Sequence, residues 1–114
     1  MIARTWRGQA APDKADAYCR HVTGTVFPEV ARLPGHRGGY VLRREAGGEV
    51  EFLVVTLWDS MDAVRAFAGA DPNVAVVEPA ARAVLSSYDE HVRHYEVVHA
   101  PTRSDIPRGA HQDG

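Results

Sequence analysis

EFLVVTLWDSMDAVRAFAG, residues 51–69, changes its hydrophobic period halfway along. Residues 52–57 form an almost unbroken apolar run, the mark of a strand covered on both faces. Trp58 ends that run. Asp59 and Ser60 follow, and either suits the N-cap of a helix. Met61, Val64 and Phe67 then recur at helical spacing, and Gly69 is a natural stop. A strand therefore runs into a helix with its largest side chain at the joint. That indole is either a plug in the core or one wall of a cavity at the strand end.

Upstream, residues 2–7 (IARTWR) alternate and read as a first strand, with Ile2, Arg4 and Trp6 on one face. Pro12, followed by Asp13 and Asp16, opens a helix whose apolar stripe is Ala15, Tyr18, Cys19, Val22 and Val26. Gly24 and Pro28 interrupt it, and Pro28 can begin a second short helix through Val30 and Leu33. Residues 38–45 (GGYVLRRE) read as a second strand, joined to the third by a hairpin turn at Gly47-Gly48. Downstream, Asp71-Pro72 is expected to start a helical turn. Pro79 is expected to open a helix reaching Tyr88, with Ala81, Val84, Leu85 and Tyr88 on its stripe. Residues 90–98 (EHVRHYEVV) make the last strand. Residues 1–99 then form the domain, and residues 100–114, with no apolar period, are expected to be a disordered tail. The order is βα(α)ββα(α)β, a ferredoxin-like α+β fold with a four-stranded antiparallel sheet and helices on one face.

The third strand is apolar on both faces, Phe52, Val54 and Trp58 against Leu53, Val55 and Leu57. The chain's own helices cover one side of the sheet only. A second copy packed sheet to sheet would cover the other, so a homodimer is expected. At 114 residues the chain is one domain of ordinary soluble composition, 45% hydrophobic and 25% charged. A formal net charge of −2 argues against a general nucleic-acid binder. No apolar run approaches the length that spans a bilayer, so no membrane partner is expected. Met1-Ile2 leads straight into a strand, with no signal-peptide pattern. Cys19 is the only cysteine, which fits a reducing cytoplasm, and its place on the apolar stripe reads as core. His91 and His94 would point to opposite faces of a strand, so no metal site is expected.

In MIARTWRG, LPGHRGGYVLRR, FLVVTLWDSMDAVRAFAG and HYEVV, the chain resembles the antibiotic biosynthesis monooxygenase domain family of the dimeric α+β barrel superfamily, over residues 1–98. The resemblance implies a homodimer acting as a cofactor-independent monooxygenase on a small aromatic or polyketide-like compound. Haem-degrading relatives use an Asn on the first strand, a Trp late in the helix after the third strand and a His beyond it. Here the Trp position falls on Phe67, the His position near Val77, and the only Asn is Asn73, off the first strand. Haem degradation is therefore not expected. The cofactor-free polyketide monooxygenases are similar in the strand-end Trp, here Trp58, but pair it with an Asn that this chain lacks. The candidate ligand-binding residues are Arg4, Trp6, Trp58 and Phe67, with Arg4 as a hook for a carboxylate or phenolate. The candidate catalytic residue is His94, which shares a strand face with Glu96 and would accept a proton near neutral pH. The alternatives are an Arg4–Glu96 ion pair and a small-molecule-binding or stress-associated domain without catalysis.

Overall fold

The computed structural model describes residues 1–101. The expected tail at 100–114 lies, apart from its first two residues, outside them. Strand β1 (Ile2–Ala10) leads to helix α1 (Pro12–His21), which continues without a break through a π-helical turn (Val22–Val26) into α2 (Phe27–Val30). Strands β2 (His36–Ala46) and β3 (Glu49–Trp58) form a hairpin. Its two-residue turn requires positive φ at both positions, and Gly47 and Gly48 supply it at 60° and 80°. Helices α3 (Met61–Ala68) and α4 (Pro79–Val84) follow, then β4 (Ser87–Tyr88) and β5 (Arg93–Glu96). The sheet order is β2-β3-β1-β4, with β5 also on β1, and every pairing is antiparallel.

The fold is the expected α+β arrangement, with an open sheet of five strands instead of four. The last strand is split. β4 and β5 occupy the same edge of β1, Tyr88 opposite Gly8 and His94 opposite Arg4. Between them the chain leaves the sheet to bond a different partner. Val92 N–H donates to the Asn73 carbonyl at 2.8 Å, and Ala75 N–H to the Glu90 carbonyl at 2.9 Å. The expected helix to Tyr88 stops at Val84 for a related reason: Ser86 N–H donates to the Gln9 carbonyl at 2.8 Å, which commits the next residues to the sheet. The expected helical turn at Asp71-Pro72 is a single tight turn, in which the Asp71 carbonyl accepts from Val74 N–H at 3.3 Å and Asp71 Oδ1 from Asn73 N–H at 3.1 Å. Residues 70–78 thereby form an irregular strap across the helix-covered face.

The long helix keeps one apolar line, Tyr18, Val22, Val26 and Val30, at steps of four. In an α-helix of about 3.6 residues per turn such steps drift around the cylinder. The wider π turn cancels the drift. Its cause is Pro28, which has no N–H and whose ring would strike the carbonyl of Gly24, four residues back. The helix swells there, and Phe27 N–H reaches back five residues to Val22. Thr23 adds to the distortion by bonding the Cys19 carbonyl at 2.7 Å. Cys19, read as core, is half-buried at the margin of the cluster.

Two apolar clusters fill the space between helices and sheet. One centres on Phe52 and Tyr18, whose rings lie 4.7 Å apart. The other holds Val30, Trp58 and Val64. Trp58 is fully buried, stacked on Phe67 at 5.3 Å and edge-on to His36 at 5.1 Å. Its N–H donates to Thr56 Oγ1 at 2.9 Å, so the burial leaves no orphan donor. Ser60 caps α3 by accepting from Ala63 N–H at 3.2 Å, and Gly69 ends it with φ 90°. On the opposite face of the sheet, Tyr40, Leu42 and Tyr95 are about half exposed and Leu53, Val55 and Leu57 lie among them. This is the second apolar face expected from the sequence.

Trp58→Ala should lower unfolding free energy by about 3–5 kcal/mol in chemical denaturation, because the other cluster cannot close a void of that size. Trp58→Phe should cost distinctly less. An alanine variant with the wild-type midpoint would refute the plug.

Candidate functional site

A cavity of about 330 Å³ lies between the helix-side face of the sheet, the long helix and the strap. Its floor is Arg4 and Trp6 on β1 with Val54 and Thr56 on β3. Every second residue of a strand faces the same way, so these four share a face by necessity. The helix line of Tyr18, Val22, Val26 and Val30 forms the roof, and Phe67 closes one side from α3. The strap supplies the last wall with residues 75–78. The lining is mostly apolar, and the volume falls in the range of small-molecule sites.

Arg4 is the main charge on the floor, and it is 95% buried. Among the described residues it forms no ion pair. Its Nη1 donates to the Pro72 carbonyl and lies 3.0 Å from His94 Nε2, while Nη2 donates to the Val74 carbonyl at 3.1 Å. Its guanidinium also sits 5.7 Å above the Phe67 ring. The expected Arg4–Glu96 pair is absent, because Glu96 faces Ile2 in the register and His94 faces Arg4. Burial pulls the Arg4 pKa down to about 10, so the cation persists at neutral pH. Burial, and then the Arg4 charge, pushes the His94 pKa below its usual value. A neutral His94 accepts from Arg4 through Nε2, which fixes the proton on Nδ1. A guanidinium carries five N–H groups and these bonds use three, leaving donors for a ligand. Burial also raises the Tyr18 pKa, so that phenol stays protonated.

Of the sequence candidates, Arg4, Trp6 and Phe67 stand on the cavity wall. Trp6 is fixed there by its N–H bond to the Asp89 carbonyl at 2.6 Å and by Tyr18 and Tyr88, with ring centroids 6.4 and 6.1 Å away. Trp58 lies behind the wall, screened by Thr56 and Phe67. His94 is also behind it, in contact with Arg4 and not with the expected Glu96. Phe67 and Val77, the two positions singled out against haem degradation, both line the cavity and carry no metal-ligating atom. The residues that sequence reasoning missed are Thr56, His21 and the strap. Thr56 could have been found as the one polar residue in a strand run of apolar ones. Among the described residues no group of three or more His, Cys, Asp or Glu is placed to hold a metal ion, and no helix is long and apolar enough to cross a membrane.

The fold has close counterparts of known structure. The haem degrader MhuD of Mycobacterium tuberculosis, with two haems in its active site, is 23% identical with TM-score 0.57, covering 90% of this chain and 100% of that one. A Bacillus cereus protein assigned to the antibiotic biosynthesis monooxygenases is 17% identical with TM-score 0.62, covering 89% and 96%. A monooxygenase of Streptomyces coelicolor in complex with nanaomycin D is 16% identical with TM-score 0.56, covering 89% and 92%. At such identities these likenesses establish the fold alone. No curated protein sequence matches the chain. The profile of the antibiotic biosynthesis monooxygenase family matches residues 1–79, which contain the whole of β1, β2, β3 and α3 and most of the cavity wall. The chain belongs to the antibiotic biosynthesis monooxygenase family.

Proposed function

We propose that the protein is a cofactor-independent monooxygenase acting on a small aromatic or polyketide-like compound bound as an anion. The observation that carries this reading is a buried guanidinium without a carboxylate partner, facing an apolar cavity of about 330 Å³. A buried cation held only by neutral acceptors is costly, and a ligand phenolate or carboxylate supplies the missing charge. Trp6 and Phe67 then flank the ring, and Arg4 takes its oxygen. His94 acts as a positioning residue through Arg4.

A phenolate held beside Arg4 is electron-rich at its ring carbons. Shielded on one side by the apolar wall, it can react with O₂ directly. The substrate supplies all the electrons: an activated ring methylene and O₂ give a ring carbonyl and water, so no external reductant is required. The reading without catalysis is favoured by one observation, the absence of an Asn from the cavity lining.

Oxygen uptake with hydroxyanthrones and dihydroxynaphthalenes separates the two. Turnover should yield one quinone and one water per O₂, and Arg4→Gln should reduce it by at least about tenfold. Ligand binding without uptake would establish the non-catalytic reading. Affinity for a carboxylate ligand should hold from pH 7 to about 9, because burial lowers the Arg4 pKa but leaves the cation protonated there. A loss of affinity over that range would remove Arg4 as the hook.

The exposed apolar face of the sheet supports a homodimer packed face to face. Light scattering at micromolar concentration should give twice the chain mass. A monomer there would defeat the argument, and Leu42→Glu should turn a dimer into monomers.

A further inference from the structure

Besides Arg4, Thr56 and Glu29, the cavity is lined by a further pair of polar residues. His21, on the last turn of α1, and Glu78, at the end of the strap, both line it. The His21 Nε2 atom is buried and has no hydrogen-bond partner. Its nearest acid is Glu78, with Oε2 at 3.8 Å, too far for a hydrogen bond. A buried ring nitrogen without a partner is unfavourable, and few such groups persist in folded chains. At 3.8 Å the two atoms are close enough for a single oxygen placed beside them to reach both. A hydroxyl placed there donates its proton to the carboxylate and accepts from the imidazole N–H.

The strap bounds the distance from Arg4. The Val74 carbonyl binds the guanidinium, and Glu78 follows four residues later. Four residues of extended chain span at most about 14 Å. Between them, Ala75, Val76 and Val77 carry only apolar side chains. We infer that the His21–Glu78 pair is a subsite for a ligand hydroxyl, so that the cavity selects aromatic compounds with an anionic oxygen at one end and a hydroxyl at the other. The anionic end rests on the reading of Arg4 given above; the hydroxyl end does not.

Three naphthalenes test the two ends separately by calorimetric titration: 2-naphthoate, 2-naphthol and 6-hydroxy-2-naphthoate. His21→Phe and Glu78→Met should each weaken 2-naphthol and 6-hydroxy-2-naphthoate by at least about fivefold. They should weaken 2-naphthoate by less than about twofold, which also shows that the variants are folded. Equal loss for all three compounds, or loss for none, overturns the subsite, as does failure of 2-naphthol to bind the wild-type protein. If 2-naphthoate fails to bind while 2-naphthol still distinguishes wild type from His21→Phe, the anion hook falls and the hydroxyl subsite stands.

Discussion

The guanidinium of Arg4 joins the first strand directly to the strap and to β5. It sits on β1 and reaches the carbonyls of Pro72 and Val74 and the ring of His94 on β5. The strap has no helix or strand of its own to hold it, so its backbone groups need partners from elsewhere. Arg4 supplies two, and the split between β4 and β5 supplies the others through Glu90 and Val92. The cost of burying a charge is therefore offset by closing a loop over the sheet. A carboxylate in place of those carbonyls would neutralise the cation and leave nothing for a ligand anion to gain.

The cavity exists because two opposing surfaces are kept from collapsing onto each other. Protein interiors ordinarily pack without voids of this size. Here the floor cannot rise, since β1 and β3 are locked by nine paired positions. The roof cannot descend, since the π turn keeps its line of large side chains facing the sheet while Pro28 prevents the helix from tightening. Trp6 stands over its own strand, above Gly8, where an added Cβ would come within 2.9 Å of the indole. That glycine lets the ring lie flat toward the floor and leaves the space beside it open.

The fold was legible wherever a period was long enough to read. β1, the β2–β3 hairpin and α3 lie close to where their alternation, Gly-Gly turn and Ser60 cap put them. The far half was less legible because its backbone is committed by distant partners. Nothing local to Leu85 and Ser86 ends α4; the Gln9 carbonyl does. Nothing local to residues 89–92 breaks the last strand; Asn73 and Ala75 do. The same holds for the site. Arg4, Trp6 and Phe67 were readable from their strand and helix faces. The partner of Arg4 was not, because a two-residue difference in register puts His94 opposite it instead of Glu96. His21 and Glu78 lie far apart in the chain, and no local pattern links them before the fold brings them together.

Trp58 shows how one polar atom decides the place of a large side chain. Its indole could have faced the cavity and bonded a ligand or water there. Thr56, two residues earlier on the same strand face, takes the N–H instead. With its donor satisfied, the indole can be wholly buried and stack on Phe67 at 5.3 Å. Phe67 then turns its ring toward Arg4 and the cavity. The aromatic wall presented to a ligand is thus Phe67, held from behind by Trp58, and the strand-end tryptophan acts on the site through the ring in front of it.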